Sequence, residues 1–351
     1  MSATYPPLSL GIVRSKPMLA TTSPVAAPCD PAISGIVREG LARHPKQLPP
    51  WLFYDEAGSR LFDEITQLPE YYLTRLEREL LTEHAGAMIS AAAEGRRLRL
   101  VELGAGSADK TRTLLAAALV HQGTVQYLPV DVSESALELA CRRIEAELPE
   151  VETTPVVADY TVDWHLPDHD NPEAKPERQL LMWIGSSIGN FEPGAAEELL
   201  RRINSTMRSG DSLLLGVDLA PCDGGKCVGE LLAAYDDEAG VTAQFNSNML
   251  VRLNRELGAD FDLDSFAHWA EWNAASSRME MHLESLREQS VHIEALNLNV
   301  HFDAGERLHT ENSYKYTLES AAALMERAGF PVAESWTDHG EWFAVMLGRK
   351  A

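Results

Sequence analysis

The sequence predicts an α/β fold: a parallel sheet with helices on both faces, interrupted late by an inserted segment. Three observations predict it. Apolar strand-length runs alternate with helix-length stretches from residue 98 to residue 219, and again from 317 to 349; such alternation implies parallel strands covered on both sides. A glycine turn, Gly104-Ala105-Gly106, follows the first run and opens the first helix of that series. Between about 220 and 315 the alternation stops. Ligands of such sheets sit beyond the carboxyl ends of the strands.

In chain order, residues 1–29 are rich in Ser, Thr, Pro and Ala without periodicity and read as a mobile tail. A helix is expected over 30–45, where Ile33, Ile36, Val37 and Leu41 fall at helical spacing. The stretch from Leu48 to Tyr72 is dense in aromatics and punctuated by Pro and Gly. It is either an aromatic-packed entry to a domain or a pocket wall. A long helix is expected over 73–94. Strands follow at 98–103, 125–132, 154–158, 179–185 and 212–219. Helices are expected at 108–120, 134–146 and 193–206. Residues 227–275 read as helical and mixed. Residues 278–316 carry alternating stretches that suit an antiparallel meander. A helix over 317–329 and strands over 331–336 and 342–349 complete the sheet. The domains expected are therefore 76–219 with 316–351, and a second unit from 30–75 with the insertion 220–315.

Composition narrows the function. The 351 residues are 45% apolar, enough for a sizeable core. The formal charge of -23, with 53 acidic against 30 basic residues, argues against a nucleic-acid partner. It also disfavours an anionic membrane surface. No apolar run approaches the roughly 20 residues that span a bilayer. No signal peptide is read at the N-terminus, and four cysteines in this length make no disulfide framework, so a cytoplasmic location is expected. Cys222 and Cys227 are too few for a zinc site. No metal is expected.

Acidic residues stand where an α/β sheet would present them to a nucleoside. Asp131 ends the second strand, where a carboxylate can accept ribose hydroxyls. Asp159, beside Tyr160, ends the third and can meet an adenine edge. With Glu102 and the glycine turn they favour an adenosine ligand. A dinucleotide is less well served, because Asp109 stands where G-x-G-x-x-G needs its third glycine. S-adenosylmethionine has no pyrophosphate, and its sulfonium suits an acidic cleft. The fourth strand ends in Trp183-Ile184-Gly185-Ser186-Ser187-Ile188-Gly189-Asn190, where a substrate would face the cofactor. Asn190 offers a donor and an acceptor, or caps the helix that starts at Pro193. Two other groups have ligand-type residues. His165, Asp168, His169 and Asp170 lie in a Pro-rich linker, and Tyr235-Asp236-Asp237 reads as a solvated helix start. By alternation alone, Met279 and Met281 are core.

With these residues assembled, the chain resembles the L-histidine Nα-methyltransferases of ergothioneine biosynthesis, from about Gly40 to the C-terminus. The marks are Phe53-Tyr54-Asp55 with Gly58-Ser59, Leu68-Pro69-Glu70-Tyr71-Tyr72, Val101-Glu102-Leu103-Gly104 and Gly185-Ser186-Ser187-Ile188-Gly189-Asn190. Others are Ala234-Tyr235-Asp236-Asp237 with Gly240-Val241-Thr242, and Asp260-Phe261-Asp262-Leu263-Asp264. The resemblance implies a class I, Rossmann-like S-adenosylmethionine-dependent methyltransferase domain. It adds a second α+β substrate-binding domain, formed by the N-terminal segment and the insertion. It implies three methyl transfers to the α-amine of L-histidine, giving hercynine, by a monomer. Tyr54, Tyr71, Asn190 and Tyr235 fall on residues that hold the amino-acid end of the substrate, with Tyr54 able to take the released proton. Glu311 and Ser313 fall on the imidazole readers. Met281 and Gly185 line the same pocket. Gly104, Lys110, Asp131, Asp159 and Tyr160 fall on cofactor positions. The chain departs from the family pattern at Ala105, Ser187, Asn312, Tyr314 and Tyr316, and by extra residues around Cys222 to Lys226. The same fold acting on another amino acid such as tryptophan, and a non-catalytic cofactor-binding module, are the alternatives.

Overall fold

The structure is a computed structural model that describes residues 31–162, 178–222 and 224–351. Helices α1 (Pro31–Ala42), α2 (Glu56–Ile65) and α3 (Tyr72–Ala93) lead into the main sheet. There follow β1 (Leu98–Leu103), α4 (Thr111–Gln122), β2 (Val125–Asp131), α5 (Glu134–Glu147), β3 (Val151–Thr153), β4 (Val156–Val157), β5 (Arg178–Trp183), α6 (Pro193–Thr206) and β6 (Ser212–Asp218). The inserted segment holds α7 (Val228–Ala233), α8 (Val241–Leu257), β7 (Phe266–Asn273), β8 (Arg278–Ser285), β9 (Gln289–Ile293), β10 (Leu298–Phe302) and β11 (Arg307–Tyr314). Helix α9 (Leu318–Arg327), β12 (Val332–Thr337) and β13 (Phe343–Arg349) return to the main sheet.

That sheet runs β12-β13-β6-β5-β1-β2-β3, with β4 also on β2. Strands β1 to β6 pair in parallel, and β13 enters antiparallel between β6 and β12. Every residue of β1 and β6 is buried. Alternate side chains supply two cores, as a period of two requires. Leu98 and Leu100 pack with α3 and α4, while Val101 and Leu103 pack with α6 and α9. This is the α/β architecture that the alternation predicts, and the Rossmann-like one that the family resemblance implies.

A third core joins chain segments far apart in sequence. Val37, Leu41, Leu48, Leu52 and Phe53 pack with Leu231, Phe245, Met249, Met281, Phe302 and Leu308. Above it lie a three-stranded antiparallel sheet, β11-β8-β7, and the hairpin β9–β10. Asp55 caps α2 by accepting from Gly58 N (2.8 Å), and Asn248 of α8 donates to the same carboxylate oxygen (2.8 Å).

Three element boundaries differ from the pattern reading. Strand β7 lies in the stretch read as helical, because Phe266, Trp269 and Trp272 recur every three residues and imitate a helix. Its backbone nonetheless pairs residue by residue with β8. The third strand splits at Thr154-Pro155, where proline has no N–H for a ladder. Helix α4 begins at Thr111 rather than 108, because Ala108 takes a left-handed φ of 54° within the turn. The His165–Asp170 cluster lies outside the described residues.

Candidate active site

The wall at the carboxyl ends of β1 and β2 is made largely of backbone. Gly104 N and Ala105 N both donate to Val130 O (2.8 and 3.1 Å), which fastens the turn to β2. Asp131 then grips it: one carboxylate oxygen accepts from Gly106 N (3.0 Å) and the other from Ser133 N (3.0 Å). Each oxygen keeps a lone pair for a hydroxyl. Gly104 has φ +65°, and a Cβ there would stand 3.7 Å from the Tyr160 hydroxyl. The space between the turn and Tyr160 therefore depends on glycine. Tyr160 packs edge-on against Trp183 at 5.8 Å, and burial pushes its phenol up to about 12. Asp159 caps its own turn, accepting from Thr161 N (2.8 Å) and Oγ1 (2.5 Å). Glu102 lies beneath the turn, fully enclosed and bonded by Thr111 Oγ1 (2.5 Å) and the Tyr127 hydroxyl. Burial pushes its carboxyl up to about 7 against those two hydrogen bonds. It braces the turn from below.

Glu77, on α3, ties the two walls together and carried no sequence signal beyond a charge on a buried helix face. Its side chain is wholly buried, accepts from Gly185 N (2.6 Å) and pairs with Lys110. Lys110 thus stands between the glycine turn and the end of β5.

The opposite wall is made of side chains. One cavity of about 570 Å³, its mouth included, is lined by Tyr54, Tyr71, Gly185, Asn190, Tyr235, Met281, Glu311 and Ser313 together. All eight expected substrate residues meet there, from segments more than 250 positions apart. Ser186, in the same lining, holds a left-handed φ of 57° without being glycine, the kind of backbone strain that clusters at functional sites. Its hydroxyl accepts from Asp218 N (2.8 Å). Gly189 lets this turn meet β11: a Cβ there would fall 2.7 Å from Tyr314 O.

Aromatic rings form the rest of the lining. Tyr54 meets Phe245 at 5.5 Å and Phe62 at 5.7 Å; Tyr71 meets Tyr235 at 6.5 Å. Tyr54 is 40% exposed as a residue, yet its phenol end is desolvated inside the cleft. That desolvation, then the charge of Glu311 and the neighbouring tyrosines, holds it protonated well above the ordinary range. Tyr54 is therefore a neutral hydroxyl at physiological pH.

Strand β11 aims the polar readers by a bulge. His309 faces His282, but Glu311 faces Met281, so β11 spends one extra residue. Glu311 and Ser313 consequently share the cavity face. Glu311 is 8% exposed, and burial pushes its carboxyl up to about 7, with Lys315 opposing. The alternate residues turn outward to Glu192, just after Asn190. Asn312 Nδ2 donates to it (3.0 Å), as do the Tyr314 hydroxyl (2.5 Å) and Arg278 (3.2 Å). Asn312 and Tyr314 thus meet at one carboxylate.

Below the cavity lies a buried ionic network that the sequence reading did not find. Lys315 and Lys226 both pair with Asp218. Tyr72 also donates to Asp218 (2.9 Å) and accepts from Lys226 (2.7 Å). Burial alone would raise the Asp218 carboxyl, but the two ammonium groups hold it below the usual range. Burial lowers Lys226 to about 8. The only available signals were an Asp ending β6 and a Lys four residues beyond Glu311.

Asp237 proves to be a helix cap, accepting from Val241 N (2.9 Å) and Thr242 N (2.7 Å). Among the described residues, Glu271, Glu280 and His282 bring ligand-type atoms within 4.8 Å of one another on the outer face of β7 and β8. Arg307 and Arg278 already pair with those carboxylates. No described helix is long and apolar enough to cross a membrane.

Comparison with known proteins adds to this geometry. The profile of the family described as histidine-specific methyltransferase, SAM-dependent, matches residues 33–350. The histidine N-alpha-methyltransferase of Mycobacterium tuberculosis is 44% identical over 315 residues, covering 90% of this chain and 94% of that one. Its Mycolicibacterium smegmatis counterpart is 43% identical over 311 residues, covering 89% and 92%. Ergothioneine biosynthesis protein 1 of Neurospora crassa is 29% identical over 313 residues, which is 87% of this chain but 33% of that longer protein.

Proposed function

The chain belongs to the family of histidine-specific, S-adenosylmethionine-dependent methyltransferases, and from that premise we propose that it trimethylates the α-amine of L-histidine. The product is hercynine, made for ergothioneine biosynthesis. The names of the relatives support this reading. The observation that carries it is the convergence of Glu311 and Ser313 with Tyr54, Tyr71, Asn190 and Tyr235 in one cavity beside the glycine turn.

Gly104, Lys110, Asp131, Asp159 and Tyr160 would hold the cofactor, and the space that a Cβ on Gly104 would fill fits a nucleoside's close approach. When bound, S-adenosylmethionine supplies an electrophilic methyl group on a sulfonium. The residues of the chain do the rest. Asn190, Tyr71 and Tyr235 hold the amino-acid end, while Glu311 and Ser313 fix the ring. Attack needs a neutral amine, whose ordinary pKa is about 8, and desolvation among these aromatic rings favours that form. Tyr54, protonated and neutral, accepts a hydrogen bond from the amine and passes the released proton toward water at the mouth. Positioning supplies much of the rate. As methyl groups accumulate the nitrogen loses its hydrogens and becomes a fixed cation. Ring faces such as those of Tyr54, Tyr71 and Phe245 then stabilise it by about 0.5–2 kcal/mol each.

In this reading 30–75 with 220–315 is the substrate domain, 76–219 with 316–351 the methyltransferase domain, and the enzyme works as a cytoplasmic monomer. The test is to incubate the protein with S-adenosylmethionine and each of the twenty amino acids, and follow mass gain. Three methyl groups on histidine alone are expected. Gain on tryptophan would move the substrate assignment, and no gain with tight cofactor binding would make the chain a binding module.

A further inference from the structure

We propose that Lys315 is a positioning residue that fixes the hydrogen-bond polarity of the pocket, so that the site takes a neutral imidazole in one tautomer. The inference rests on histidine being the substrate. It goes beyond that reading by assigning work to a side chain behind the lining.

The argument is an accounting of hydrogens. An ammonium has three donors and no acceptor. All three of Lys315's are spent inside the protein. One goes to Asp218 Oδ2 (2.7 Å), one to the Tyr235 hydroxyl (2.6 Å) and one to Ser313 Oγ (2.9 Å). Both hydroxyls therefore accept from Lys315, and neither can donate to it. They also lie 2.9 Å from each other. One hydroxyl hydrogen fills that gap. The other is left over, and the cavity is the open direction. Whichever way the pair orients, one O–H donor faces the ligand. Glu311, two residues earlier on the same strand face, presents the acceptor.

A ring with one N–H and one lone pair satisfies both groups. An imidazolium, with two N–H donors, sets a donor against the hydroxyl hydrogen. A phenyl or indole ring leaves at least one buried group unpaired, which carries a free-energy penalty. Without Lys315 the hydroxyl pair could rotate and accept instead.

Charge works in the same direction. Among the described residues, Lys315 is the one charged group that pulls Glu311 toward its ionised, accepting form against burial. The other groups facing this spot are Tyr54, Tyr71 and Tyr235 across the cavity, and Asp218, Lys226 and Tyr72 beneath it. All three tyrosines across the cavity are held protonated by burial. Asp218 is already shared between Lys226 and Lys315. No other described cation lies in this shell.

The test is Lys315→Met, which keeps the stem and removes the charge. Asp218 retains Lys226 and Tyr72, so the ion pair beneath the cavity stays balanced, Glu311 can take up a proton, and the variant is expected to fold. The histidine KM is measured from about pH 6 to about pH 9.5, with S-adenosylmethionine affinity alongside. In the wild type, KM should rise as pH falls through about 7, where Glu311 becomes protonated. In the variant that rise should begin at least about one pH unit higher, raising KM about fivefold at pH 7 and about tenfold at pH 6, with recovery on going alkaline. Cofactor affinity should be unchanged. A KM raised equally at every pH would make Lys315 merely structural and overturn the proposal.

A second measurement needs no variant. Histidine labelled with ¹⁵N in the ring, bound to the wild type with S-adenosylhomocysteine near pH 7.5, should show one protonated and one bare ring nitrogen. Two protonated nitrogens would overturn the proposal. Wild-type protein that does not methylate histidine would sink the functional reading and this inference together. Methylation with an unshifted variant profile would sink this inference alone.

Discussion

On one wall of the cleft, the groups that face a ligand are the remaining lone pairs of Asp131 and a turn whose N–H groups are already bonded to Val130 O and to that carboxylate. On the other wall they are side chains gathered from five separate parts of the chain, above two buried ammonium groups and one buried carboxylate. The first wall follows from one continuous stretch of the chain, Glu102 to Tyr160. The second exists only once the N-terminal segment and the insertion share a core. The difference teaches where each wall is vulnerable: the first to local changes of turn geometry, the second to loss of long-range charge balance.

The largest effect should come from breaking that balance. Asp218→Ala leaves Lys226 and Lys315 buried without the carboxylate they share, and removing one partner of such a network costs about 3–5 kcal/mol. Urea unfolding would measure it; a loss below about 1 kcal/mol would mean that the network is not what holds the second wall. Next is Glu311→Ala. We expect kcat/KM for histidine to fall by one to two orders of magnitude, about 1.4–2.7 kcal/mol, with cofactor affinity retained. Asp131→Asn is its mirror image. It should weaken cofactor binding about tenfold and leave histidine affinity alone, because Asp131 belongs to the other wall. If either substitution weakened both ligands equally by calorimetry, the division into two walls would fail.

Much of this was legible in the sequence, for reasons the same contrast explains. Strands β1, β2, β5 and β6 announce themselves as apolar runs, and the glycine turn is a local pattern. The cavity residues were reached through family resemblance. Residue chemistry alone left Asn190 undecided between cap and ligand and made Met281 plain core. Glu77, Asp218, Lys226 and Lys315 were not legible at all. A charge deep in a fold is specified by partners remote in sequence: Lys226 by Tyr72, Glu77 by Gly185. Strand β7 was hidden by a tryptophan spacing that imitates a helix.

Smaller effects sharpen the comparison within β11 itself. The carboxyl of Glu311, raised to about 7 by burial, must be ionised to accept from the ring. Histidine affinity should therefore be full above pH 7 and fall as pH drops through it. Glu311→Gln should remove that limb from histidine affinity, and a limb that persists in the variant would place the titrating group elsewhere, Glu102 beneath the turn being raised to about 7 as well. The smallest change should be Tyr314→Phe, on the outward face. It removes the hydrogen bond donated to Glu192, whose side chain is 60% exposed, and the one accepted from Arg278 (2.6 Å), while Arg278 keeps its pairing with Glu280. We expect under about 1 kcal/mol in stability and at most a few-fold change in histidine KM.

The central claim is that the two walls hold two different ligands with the reacting atoms between them. A crystal structure with histidine and S-adenosylhomocysteine tests it most directly. The account predicts the imidazole within hydrogen-bond distance of Glu311 and Ser313, and the amine directed past Tyr54 toward the turn at Gly104. An imidazole lodged away from Glu311, or an adenosine moiety away from Asp131, would contradict it.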